Sequence, residues 1–166
     1  MARDWIDKGL RHARERAAQH RLESERHHHQ TAVIKEKGPV LLRSLVAEVS
    51  AAVDEYKRSA NTGNHELEFE VMPHEGFCIA KTMLPRVSLE CRPDYEGHVL
   101  CCNMTRVDDQ ESKPVEWLFN LNLAVDESNN VTLSRETRAF QSMDEAAESI
   151  LTPVLFPPLD QPPPIR

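Results

Sequence analysis

The period of the apolar residues changes near Glu66, and that change dictates the class of fold. Upstream they recur every three or four positions, the spacing of one helix face. Downstream they alternate, as on strands covered from one side only. Glu66–Met72 sets Leu67, Phe69 and Val71 against Glu66, Glu68 and Glu70. Val115–Val125 is the clearest case, with Val115, Trp117, Phe119, Leu121, Leu123 and Val125 opposed by Glu116, Asn120 and Asn122. Arg86–Arg92 places Val87, Leu89 and Cys91 on one face. Phe77–Leu84 and His98–Arg106 alternate less cleanly. Pro85 reads as a bulge or bend in one long strand, with a turn as the alternative. The connections are short and rich in turn residues, so neighbouring strands are antiparallel and a meander follows.

Helices flank these strands. Residues 2–36 read as one long, weakly amphipathic helix with a thin seam of Trp5, Ile6, Leu10, Ala13, Ala17 and Leu22. Gly38-Pro39 is expected to end it and to open a second helix over about 39–60, whose apolar face is Leu42, Leu45, Val46, Val49, Ala52, Val53 and Tyr56. Asn61-Thr-Gly-Asn64 supplies a stop. Ser142 and Glu145 form a capping box for a last helix over 142–152, which Pro153 ends or kinks. The expected fold is therefore α+β. A five-stranded antiparallel meander carries the helices at 39–60 and 142–152 on one face, and a long polar N-terminal helix precedes it. Val71, Trp117, Phe119, Val131 and Leu133 belong to the expected core. The domain reading is a basic, His-rich helical arm (1–37), an α+β domain (38–156) and a proline-rich extended tail (157–166).

Composition removes several classes of function. With 5 glycines in 166 residues there is no glycine-rich phosphate loop and no GxGxxG or GxxxxGK[ST] pattern. Residues 1–30 hold no apolar run, so no secretory signal is expected, and no stretch reaches the length of a membrane span. The four cysteines, Cys78, Cys91, Cys101 and Cys102, all fall in expected strands. They read as buried free thiols of a cytoplasmic protein. The net charge of −7 conceals an asymmetry: residues 1–60 carry 12 Lys and Arg against 9 Asp and Glu, and the acidic excess lies in the remainder. Five of the eight histidines lie in the first thirty residues.

Catalytic and cofactor signatures are lacking. The His27-His28-His29 run suggests a metal, but neighbouring helical residues point about 100° apart and no HExxH occurs. Neither metal nor cofactor is expected. Cys101 and Cys102 point to opposite faces of a strand and cannot clamp one ion. Arg3, Lys8, Arg11, Arg14, Arg21 and Lys35 invite a nucleic-acid reading, which the interspersed acids, the acidic body and the scarcity of stacking aromatics oppose. The proline-rich end at Pro162–Arg166 lacks the PxxPxR spacing of a ligand for proline-reading domains. The residues thus point to a non-catalytic cytoplasmic binding or scaffold protein. It self-associates or docks a protein partner through its N-terminal helix, with Trp5, Ile6, Leu10, Arg11 and Arg14 as contacts. A second contact face on the sheet comprises Glu68, Arg86, Glu90, Arg92 and Asn120. The alternative is a small-ligand binder or enzyme with a site near Cys78, His98 and Cys101.

Overall fold

In the computed structural model residues 3–60 and 66–158 are described. The stop at 61–64 and most of the proline-rich tail lie outside these residues. A single helix, α1 (Asp4–Ser59), runs for 56 residues, about 84 Å at 1.5 Å per residue. Gly38-Pro39 therefore does not divide it, contrary to the sequence expectation. Gly38 is buried, and a Cβ there would stand 3.0 Å from Cε1 of Tyr95, whose hydroxyl donates to Oε2 of Glu75 at 2.9 Å. This glycine serves close approach, not termination. Pro39 lacks an N–H for the Lys35 carbonyl, a cost of about 3 kcal/mol inside a helix. Ile34, Leu42 and Leu45 around it are almost wholly buried, and each side chain returns about 1.5–3 kcal/mol. Packing outweighs the proline. Gly38→Leu should accordingly lower stability by about 1–3 kcal/mol through overpacking against Tyr95. A chemical-denaturation midpoint at or above wild type would refute that role.

Seven antiparallel strands follow in chain order: β1 (Leu67–Val71), β2 (Phe77–Lys81), β3 (Arg86–Asp94), β4 (Val99–Val107), β5 (Val115–Val125), β6 (Val131–Arg135) and β7 (Arg138–Ala139). Five were expected. The first difference arises at Pro85, which lies in a turn, so 77–92 is not one bent strand but a hairpin with Ile79 opposite Leu89. Proline cannot donate to a ladder, which favours the turn. The second is β7, a two-residue strand too short to leave a periodic signal.

The open sheet buries one face. Its inner rows run through Phe77, Cys91, Cys102 and Phe119, and through Ile79, Leu89, Met104 and Trp117. Helix α2 (Met143–Leu155) lies on this face beside α1, contributing Ala146, Ala147, Ile150, Leu151, Val154 and Leu155 to the core. Its start follows the capping box: Ser142 Oγ accepts from the Glu145 N–H at 3.1 Å, and the Glu145 carboxylate accepts from the Gln141 N–H at 2.7 Å. Pro153 sits inside the last turn and does not end the helix, because burial of Val154 and Leu155 carries it on. Val71, expected in the core, is 59% exposed at the end of the edge strand. Trp117 and Phe119 are only half-buried, because the helices leave that part of the sheet uncovered.

Candidate functional site

Two features have the form of interaction sites. The first is the free half of α1. Every residue from Arg3 to Glu23 is exposed, including Trp5 at 73%, Leu10 at 51% and Leu22 at 68%. Contact with the body begins at His27, whose ring stacks on His98 with centroids 4.9 Å apart. Thr31 Oγ1 donates to the His27 carbonyl at 2.9 Å and lies 2.7 Å from Nε2 of His98. The Thr31 hydroxyl therefore bridges the His27 carbonyl and the His98 ring. One turn away His29 Nε2 meets Asn129 Oδ1 at 3.0 Å, Lys37 Nζ donates to the Asn129 carbonyl at 2.6 Å, and Lys35 pairs with Glu96. His27 and His29 are therefore docking residues, and no three His, Cys, Asp or Glu side chains converge as metal ligands among the described residues.

The docked and free halves of α1 share one seam. Counting back from buried Ile34 in alternating steps of three and four gives Thr31, His27, Ser24, His20, Ala17, Ala13, Leu10 and Ile6. That is a heptad spacing. Its lower part rests on the protein body and its upper part faces solvent. Arg11 and Arg14, the expected basic contacts, flank the solvent-facing part and are exposed.

The clasp at His98 is pH-sensitive. Desolvation, then the neighbouring His27, push the His98 imidazole below its ordinary value of 6.5, while Glu96 and Asp94 oppose the shift. The docked state thus favours the neutral ring. Its contribution is complete above the unfolded value and is lost as pH falls from there through the lowered folded value. Hydrogen-exchange protection factors of the 27–35 backbone, taken relative to the intrinsic rate at each pH, should fall on acidification below about pH 6.5, and His98→Gln should flatten that dependence. An unchanged profile in the variant would remove His98 as its source.

The outer sheet face carries the other expected contacts. Glu68, Arg86, Glu90, Arg92 and Asn120 all lie on it. Arg92 and Asn120 flank Cys101 in one cross-strand row, and Arg92 pairs with Glu90. Glu68 and Arg86 stand apart from that row. Cys78, His98 and Cys101 do not converge, since β3 separates the two cysteines and His98 turns toward α1. Burial, the largest cause, raises both the Cys78 and Cys101 thiols, and nearby carboxylates raise them further. That opposes thiolate chemistry. Two thiols depart from the expectation of burial, Cys101 being exposed and Cys78 half-buried on the outer face. Cys91 and Cys102 face each other in the core with sulfurs 3.2 Å apart. A thiol reagent should modify Cys101 and then Cys78 in the native protein, and all four only after unfolding. Rapid native modification of Cys91 would contradict this burial.

The second feature escaped the sequence reading. A cavity of about 450 Å³ opens between the far end of the inner sheet face and the end of α2, lined in part by Met104, Arg106, Trp117, Phe119, Arg135 and Pro153. Arg106 is 7% exposed; it pairs with Asp108 through Nε and donates from Nη1 to the Pro158 carbonyl at 2.7 Å. Arg135 donates to Ser149 Oγ at 3.3 Å, and its guanidinium lies 4.7 Å from the Phe119 ring centroid. A signal existed: Leu100, Cys102, Met104, Arg106 and Val131, Leu133, Arg135 are alternating runs whose last inward position is an arginine.

Comparison with protein-family models, with curated proteins and with solved structures finds no match for this chain. Among the described residues no helix is long and apolar enough to cross a membrane.

Proposed function

We propose that this protein is a non-catalytic cytoplasmic binding module that self-associates through the N-terminal half of α1. The observation that carries the reading is the continuous seam: a surface used for docking below His27 continues above it without a partner among the described residues. A helix with so narrow a seam gains little on its own in water, so an uncovered continuation favours a helical partner.

A second copy of the same arm fits best in antiparallel orientation. Setting Leu10 against Ala13 of the other arm sets Ile6 against its Ala17, so each layer pairs a large side chain with a small one. Asp7 then approaches Arg21 of the other copy, twice by symmetry, and Arg14 alone meets its own copy. Parallel pairing would set Arg16 beside Arg21 in both halves, a repulsive arrangement. The magnitudes predict a weak complex. Four buried Ile and Leu side chains contribute about 1.5–3 kcal/mol each, against an association cost of about 4–15 kcal/mol. Mass should therefore depend on concentration. Sedimentation of the full chain tests this, with the 260/280 nm absorbance ratio reading out nucleic acid carried by Arg11, Arg14 and their neighbours.

A further inference from the structure

We infer that the cavity beside α2 binds a small monoanionic carboxylate with an apolar, preferably aromatic, body. Three observations carry this beyond the arm and its partner. The cavity volume of about 450 Å³ lies within the range of small-molecule sites, about 300–1,000 Å³. Its walls are apolar and polarizable, formed by Met104, Trp117, Phe119 and Pro153. Two guanidinium groups then stand on the inner face of the sheet beside apolar rows, with Arg138, paired to Glu145, directly across from Arg135.

The arginines are only partly satisfied. A guanidinium has five N–H donors, and one that is buried is costly unless they are used. Arg106 is nearly buried, yet among the described residues its only partners are Asp108, through Nε, and the Pro158 carbonyl, through Nη1. Its Nη2 donates to nothing described. Arg135 has no carboxylate partner among the described residues: Nη1 donates to Ser149, and the group lies over the Phe119 ring. A planar guanidinium fork held by Ser149 and the Phe119 face, with donors left over, suits a carboxylate. Charge then selects the valence of the ligand. Asp108 offsets Arg106, and Glu136 stands exposed at the rim, so a monoanion suits the site better than a phosphate dianion. The ligand carboxylate engages Arg135 and the free edge of Arg106, and its body lies against Trp117 and Phe119.

Tryptophan fluorescence tests this directly, since the chain has 2 tryptophans and Trp5→Phe leaves Trp117 as the only reporter. In that full-length background, 4-phenylbutyrate should change Trp117 emission saturably. Its neutral amide, 4-phenylbutyramide, should bind at least about tenfold more weakly, the loss expected for a charge-assisted hydrogen bond. Arg135→Gln should weaken the acid by a similar factor and leave the amide unchanged, with the same circular dichroism. Arg135→Lys should recover part of the acid's affinity. Equal affinity for acid and amide, or unaltered acid binding in Arg135→Gln, would overturn the proposal. So would the absence of binding heat for both 4-phenylbutyrate and octanoate at millimolar concentration. None of these outcomes depends on arm pairing.

Discussion

Ile34→Ala should destabilise the protein by about 2–5 kcal/mol, a large share of the roughly 5–15 kcal/mol that holds a domain together. Ile34 is fully buried, and Val33 beside it is 9% exposed. Both precede the Gly38-Pro39 pair, yet they pack into the same cluster as Leu42, Leu45 and the sheet. The same truncation upstream should do almost nothing to the fold. Leu10→Ala removes an exposed side chain and should shift stability by no more than about 0.5 kcal/mol. Equilibrium urea denaturation at a concentration where the chain is monomeric compares the two directly. Equal effects would mean that the docked and free halves of α1 are not energetically distinct.

Leu10→Glu should have the opposite profile, abolishing self-association while leaving the monomer intact. In the proposed pairing Leu10 occupies two of four layers by symmetry, each against Ala13 of the other copy. A glutamate there must be desolvated without a partner, which costs more than the roughly 1.5–3 kcal/mol that the leucine contributed. The loss is doubled across the two-fold axis. For an interface whose gross gain barely exceeds its association cost, that is enough to eliminate the dimer at any practical concentration. Chemical denaturation of the monomer should be unchanged, since Leu10 touches nothing in the body. A variant that keeps the wild-type mass would exclude the Ile6–Leu10–Ala13–Ala17 seam as the interface.

Much of the fold could be read from the residues because alternation is a strong signal when one face is covered. Val115–Val125 has the expected register, with Trp117, Phe119, Leu121 and Leu123 inward. The capping box at Ser142 gave the start of α2 correctly. The departures have local causes. Gly38-Pro39 looks like punctuation because its tertiary neighbour, the Tyr95 ring, lies 57 positions away and is invisible to any local rule. Pro85 admitted two readings, and the choice depended on ladder hydrogen bonds that no single strand reveals. Val71 follows the inner-face pattern, yet the helices do not reach that corner of the sheet.

The sites were less legible than the fold. Trp5, Ile6 and Leu10 are exposed as their thin seam implied, but the continuity of that seam with Thr31 and Ile34 emerges only once α1 is known to be unbroken. His27 and His29 read as a polar helix face, and only the fold shows that they meet His98 and Asn129. Arg106 and Arg135 were missed for a simple reason. A charged residue at the last inward position of a strand is usually a strand end reaching solvent, and only the shape of the uncovered sheet reveals the cavity they share.

The most direct test of arm pairing is sedimentation of the full-length chain over a wide range of protein concentrations. Arm pairing predicts a mass that rises from 19.0 kDa toward twice that value, with a protein-like absorbance ratio, and a Leu10→Glu variant that stays at the lower value throughout. A wild-type chain that remains at 19.0 kDa at every concentration would contradict self-association through α1.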